Sequence, residues 1–320
     1  MKNIASYYGI KAQKLQRHYK HRISGYKEWD QLPHANEYLI YPENITDKLS
    51  IDEVSLSKGE LYTFVTNKNI GLKNKKSIVA IINGTETKLI QKALDKIPLE
   101  KRKHVNEATM DMARNMALAM QNCFPNCEKV IDRFHVVKLV LDAMQHKRMT
   151  IRWAVIKKEN NAIKKAKVKK QKYCPTVLSN GDTLKELLAR SRYLLYISKC
   201  DWTVNQAKRG TLLFKKYPSL ELAYKLTQSF RNIYKKSSRE CARTAFVDWK
   251  NLVIESKIIE FNSVVNSLEY HLENILNFFN NRSTNANAES FNSKIKAFRA
   301  NLRGVSDINF FLFRLEKLFA

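Results

Sequence analysis

Two aspartates in this chain each close an apolar run. Asp52 lies in "KLSIDEVSL" (48–56), and Asp111 ends "HVNEATMD" (104–111). A third acid, Glu289, stands alone among cations and amides in "RSTNANAESFNSKIKAFRANLRG", from Arg282 to Gly304. Carboxylates brought together repel one another, so a site that assembles them usually holds a cation. All-oxygen ligands suit Mg²⁺ or Mn²⁺, hard ions that keep waters and use few protein carboxylates. Each acid also has a plainer reading. Glu53 beside Asp52 makes a turn or cap feature, Asp111 before "MARNM" an N-cap, and Glu289 a surface partner for a lysine. Spacing alone leaves both sets of readings open.

The metal reading requires particular elements. "KLSIDEVSL", "ELYTFVTN" (60–67) and "KSIVAIING" (76–84) read as strands of an antiparallel meander. A helix over 86–97 follows, with Leu89, Ile90, Leu94 and Ile97 at helical spacing. The fourth strand is 104–111, then a helix over 112–123 and a fifth strand, "EKVIDRFHVV" (128–137). If the fourth strand pairs beside the first, Asp52 and Asp111 meet at one edge of the sheet. In a helix, Asn285, Glu289, Asn292 and Lys296 share one face, while Phe291, Ile295, Phe298 and Leu302 share another. At ~100° per residue, Glu289 lies about 200° from Phe291. With the aromatic stripe in the core, the carboxylate points away from it.

The rest of the chain narrows the partner. Of 320 residues, 57 are Lys or Arg and 30 are Asp or Glu, a net charge of +27. Such an excess repels itself unless a polyanion is near, and nucleic acid is the usual one. With 44% hydrophobic residues the chain builds real cores and is no disordered basic tail. No apolar run approaches the ~20 residues that span a bilayer. "MKNIASYYGIKAQ" has no apolar signal core. Cys123, Cys127, Cys174, Cys200 and Cys241 read as free thiols of a reducing cytoplasm, and "CFPNC" lacks a second pair for zinc.

Residues 3–20 look like part of a helix-turn-helix with Gly9 in the turn, or like a plain amphipathic helical pair, and 31–47 like a linker. From about 138 to 282 the chain reads as helical. That block opens on a basic segment, 147–172, with eleven Lys/Arg against one Glu. A strand of phosphates suits this segment better than solvent alone.

These residues resemble the DDE transposases of bacterial insertion sequences, the ISL-three type. The resemblance rests on "SIDEVSLSKGELYTFVTNK", "ATMDMARNMALAMQNCFPN", "VIDRFHVVKLVLDAM" and "TNANAESFNSKIKAFRANLRG". It spans residues 48 to 320. It implies an α/β fold of the ribonuclease-H-like class: a mixed five-stranded sheet flanked by helices, with a large all-α insertion before the last catalytic helix. The domains expected are 1–47, a partial helix-turn-helix and linker; 48–137, the first part of the catalytic domain; 138–282, the basic insertion; and 283–320, the catalytic and closing helices.

The resemblance also implies that Asp52, Asp111 and Glu289 are the catalytic and metal-binding triad, with two Mg²⁺ or Mn²⁺ ions per site. One ion activates water or a DNA 3′-hydroxyl and the other stabilises the leaving oxygen. Asp132, His135 and Asn292 are candidates for active-site support. Arg133, Lys138, Lys164, Lys165, Lys169, Lys170, Lys294, Lys296 and Arg299 are candidates for DNA contact. The implied activity is cleavage and strand transfer at element ends. Its implied partners are double-stranded DNA of terminal repeats and target, in a homodimer or larger synaptic assembly. The implied location is the bacterial cytoplasm, at the nucleoid. Relatives generally carry an N-terminal zinc module and a full helix-turn-helix. Their signatures are missing here, which implies either a separate upstream helix-turn-helix protein as a further partner or a decayed element. The alternatives are a nuclease of the same fold that does not join strands and a non-catalytic DNA-binding derivative.

Overall fold

The computed structural model describes residues 2–57, 59–68, 76–302, 305 and 307–320. Arg303 and Gly304, which end the basic stretch around Glu289, lie outside them. The chain divides into two compact units, Met1–Asp132 with Ser283–Ala320, and Arg133–Arg282.

The first unit begins with helices α1 (Lys2–Tyr7) and α2 (Ala12–His18). Gly9 sits between them at φ +62°, a left-handed conformation that glycine adopts without strain. The stretch expected to be a linker contains a short strand, β1 (Tyr38–Ile40). Pro33 and Pro42 flank "YLI", which is long enough to pair at a sheet edge. Then come β2 (Lys48–Ser57), β3 (Glu60–Asn67) and β4 (Ile78–Asn83). Helices α3 (Thr87–Leu94) and α4 (Leu99–Lys103) lead to β5 (Glu107–Met110). Helix α5 (Arg114–Cys123) leads to β6 (Glu128–Ile131).

The sheet has the order β1-β4-β3-β2-β5-β6. It contains the five expected strands plus β1 at the edge. β1, β4, β3 and β2 pair antiparallel, whereas β5 pairs parallel to both β2 and β6. Strand alternation sorts the side chains onto two faces. Leu49, Ile51, Val65 and Ala108 pack with Ile90, Leu94, Met116 and Met120 of α3 and α5. Val54, Leu56, Phe64 and Ile81 form the other core. Full burial of each such aliphatic or aromatic side chain contributes ~1.5–3 kcal/mol.

The fifth strand is shorter than its β-branched run suggests. It stops at Ile131, and "RFHVV" instead opens helix α6 (Arg133–Val168) of the second unit. Val136, Val140, Ala143 and Met144 are its buried apolar residues, and their helical spacing outweighs the local strand propensity. The second unit continues through α7 (Leu184–Arg190), α8 (Val204–Lys216), α9 (Pro218–Ile233), α10 (Arg239–Ser256), α11 (Asn262–Tyr270), α12 (Leu272–Leu276) and α13 (Phe278–Asn281). Thr183 with Glu186 and Thr203 with Gln206 form capping boxes that start α7 and α8. In its core the indole N–H of Trp249 donates to the Leu226 carbonyl at 2.9 Å.

The chain then returns to the first unit with α14 (Ala286–Asn301) and α15 (Ile308–Phe319). Phe291 and Ile295 of α14 join the core beneath Phe64, and Phe298 stacks on Phe311 of α15 at 5.3 Å. The cysteines are all free. Burial pushes the Cys123 thiol up to about 11 and the Cys127 thiol to about 12, so both stay protonated at neutral pH.

Candidate active site

The site is built where β5 ends and β2 runs on. Ser50 pairs with Thr109 and Met110 with Ile131 in parallel register. Carried two residues further along both strands, that register sets Asp52 level with Asp111. Asp132 then follows at the same level beyond β6. The backbone agrees, because the Asp132 N–H donates to the Met110 carbonyl at 2.8 Å and so extends the ladder. Three neighbouring parallel strands thus bring an aspartate to one level of the sheet.

Their surroundings differ. Asp52 and Asp111 are half-buried, whereas Asp132 is 3% exposed. Asp52 Oδ1 accepts from the Glu53 N–H at 2.8 Å, and its Oδ2 accepts from Asn292 Nδ2 at 2.6 Å. Asp111 Oδ1 accepts from the Ala113 N–H at 2.8 Å in the turn before α5, but the N-cap of that helix is Ala113, with no side-chain cap, so the plainer reading of Asp111 as an N-cap does not hold. Each carboxylate oxygen has a second lone pair, so these bonds leave room for a further ligand. Below them on the same face, Lys68 Nζ donates to Glu107 Oε1 at 3.0 Å and to Thr109 Oγ1 at 2.6 Å.

Glu53 belongs to this neighbourhood as well. Its carboxyl pKa is raised, first by burial and then by the charge of Asp111, with a smaller push from Asp52. A hydrogen bond from Asn115 works the other way. Glu53 therefore feels both aspartates, in a chain that is otherwise strongly basic.

Helix α14 lies along β2 and runs the same way. Asn285 meets Ser50, Asn292 meets Asp52, and Arg299 Nη1 donates to the Ser55 carbonyl at 3.1 Å. Glu289 lies between Asn285 and Asn292 on the same helix stripe. It is exposed, while Phe291 and Ile295 on the other side are buried. Among the described residues, no three His, Cys, Asp or Glu side chains stand close enough together to hold a metal ion. Backbone register thus sets the aspartates level, and Glu289 lies on the helix stripe whose Asn285 and Asn292 reach β2.

A polar clasp seats the start of α14. The Asn285 N–H donates to Asp132 Oδ1 at 3.4 Å, and Ser50 Oγ donates to Asn285 Oδ1. Both Asp132 and Asn285 are buried, and Asp132 Oδ2 and Asn285 Nδ2 lack hydrogen-bond partners. A carboxylate beside the first turn also favours the helix dipole. Sequence reasoning missed Ser50 and Glu53 as parts of this site. The signal for Ser50 was its position two residues before Asp52, on the same face of the strand.

The remaining candidates fall in two places. Arg133 and Lys138 are exposed and His135 half-buried, all on the first turns of α6 in the second unit. Lys164 and Lys165 are exposed near the far end of that helix, with Lys169 and Lys170 just beyond it. Lys294 and Lys296 are exposed on α14.

A family model described as a transposase of the DDE, ISL-three type matches residues 49–315. The chain belongs to that transposase family. It is also similar to the transposase for insertion sequence element IS1001 of Bordetella parapertussis, at 22% identity over 271 residues. The match covers 85% of this chain and 60% of that protein, so the chain spans only part of its curated relative's length. The family's chemistry is DNA cleavage and strand transfer, which entails DNA binding and generally uses divalent metal ions. Among the described residues, no helix is long and apolar enough to cross a membrane.

Proposed function

We propose that this chain is a DDE transposase that cuts and joins DNA at the ends of an insertion sequence, with Asp52, Asp111 and Glu289 as its catalytic acids. The observation that carries this reading is the pair of contacts on either side of Glu289, Asn285 with Ser50 and Asn292 with Asp52. They support a Glu289 that faces the aspartates from across α14. The donor set fits a hard divalent cation, because it consists of carboxylate oxygens, and the charges of Asp111 and Asp52 help burial to raise the pKa of the neighbouring Glu53. Bound there, two Mg²⁺ or Mn²⁺ ions would activate the attacking hydroxyl and neutralise charge on the leaving oxygen.

The chain's own residues do the rest. Asn292 fixes the Asp52 carboxylate in one rotamer. Asp132, through Asn285, holds the start of α14 and so the height of Glu289 above the sheet. Lys294, Lys296 and Arg299, on the same helix, bind phosphates of the DNA. The exposed lysines at both ends of α6 add to the DNA surface, and the functional assembly is a dimer or larger, since two element ends must meet.

The test is a strand-transfer assay with terminal-repeat DNA and Mg²⁺. Joined products should form with the parent protein and vanish with Asp111→Asn. Activity that survives this change sinks the mechanism. Cut but unjoined products point to a nuclease of the same fold.

A further inference from the structure

The second unit holds a group of charges that the chemistry above does not use. Gln145, Arg148 and Arg152 recur on one face of α6, at i, i+3 and i+7. Arg148 is 5% exposed. Its Nε donates to Gln145 Oε1 at 2.6 Å and its Nη1 to the Leu188 carbonyl at 2.8 Å. Gln145 Nε2 donates in turn to the Arg192 carbonyl at 3.0 Å. These bonds tie α6 to the last turn of α7 and its aftermath, where helix carbonyls lack intrahelical partners. Arg192 is exposed, with its guanidinium 5.4 Å from the Tyr193 ring. The Nε of Arg152 is buried and has no hydrogen-bond partner among the described residues.

Among the described residues, none of these three arginines forms an ion pair, although other buried charges of the unit do. Asp182 is held by Arg190 and Arg209, and Glu260 by Lys147. Three arginines at the junction of α6 with the end of α7, without an ion-pair partner among the described residues and one of them buried, make a costly arrangement that an oxyanion would relieve. Burial and the charges of Arg152 and Arg192 all push the Arg148 pKa down, which is the same repulsion seen from another side. The planar fork of arginine matches phosphate oxygens two at a time.

We propose that Arg148, Arg152 and Arg192 form a phosphate-binding site where α6 meets the end of α7, and that its phosphate is a backbone phosphodiester of DNA. Arg192 and Arg152 make the contact, and Arg148 supplies charge from behind. The site is separate from the exposed lysines at the two ends of α6.

The test uses the full chain and compares the parent protein with Arg152→Gln/Arg192→Gln. Lys225→Gln, at an exposed lysine paired with Glu221 on α9, serves as control. In thermal unfolding, inorganic phosphate should raise the melting temperature of the parent and the control above chloride of equal ionic strength. It should not do so for the double variant. In duplex binding across a salt series, the slope of log affinity against log salt should be shallower by about 2 in the double variant. Melting in chloride alone checks that the variant folds. A phosphate effect that is absent in the parent, or unchanged in the double variant, overturns the site. A phosphate effect lost while the slope stays the same puts a free phosphate in the site and overturns the DNA assignment.

Discussion

The amide of Asn292 donates to Asp52 Oδ2 at 2.6 Å, across 240 residues of sequence. This contact joins the helix that carries Glu289 to the strand that carries the first aspartate. A side chain that orients a metal-binding carboxylate typically changes activity by 10–100-fold when lost. Asn292→Ala should therefore lower the strand-transfer rate by about that factor, while thermal unfolding shows a fold close to the parent's. A rate within twofold of the parent would remove Asn292 from the site.

Asp52→Asn, Asp111→Asn and Glu289→Gln should each abolish metal-dependent cleavage and leave duplex binding in place. Gel-shift and cleavage assays on the same preparations separate the two properties. Neutralising Asp52 or Asp111 also removes a repulsive charge, so the melting temperature without divalent ions should hold or rise.

Asp132→Ala should destabilise the first unit by about 1–3 kcal/mol, because it strands the buried Asn285 N–H at the start of α14. Asp132→Asn keeps an acceptor oxygen and should cost less. Urea denaturation of both variants checks this, and equal losses would show that acceptor geometry is not what matters.

Glu53 makes stability depend on pH in a set direction. Its folded pKa is raised above the ordinary 4.5, so the fold favours the neutral form. Below the unfolded value this costs nothing, and the penalty grows as pH rises through the folded pKa. Glu53→Gln should accordingly gain stability over the parent toward neutral pH and show no gain near pH 4, in urea melts without divalent ions. A gain that is constant with pH would rule out the charge explanation.

Gly210 packs under an indole in the second unit. A Cβ there would meet Cζ3 of Trp202 well inside contact distance. Gly210→Ala should destabilise that unit by about 1–3 kcal/mol despite alanine's better helix propensity. Thermal melting reads the sign directly.

The sequence by itself determined the local elements and their faces. Period-two runs placed β2, β3 and β4, and helical spacing put Phe291 and Ile295 in the core with Glu289 on the opposite side. These follow from local geometry, since a side chain's face depends only on its neighbours along the chain. Local pattern was weaker at boundaries. It extended β6 through "RFHVV", whose valines serve a helix, and passed over β1, a three-residue strand that exists only because β4 offers it an edge. The tertiary structure alone decided how the acids relate. Parallel pairing of β2, β5 and β6 sets Asp52, Asp111 and Asp132 level, and the docking of α14 brings Asn285 to Ser50 and Asn292 to Asp52. It also left Glu289 exposed and the acids short of a closed metal cluster. Register and docking depend on contacts between segments far apart in the chain, and the free energy of those contacts is not carried by any one segment.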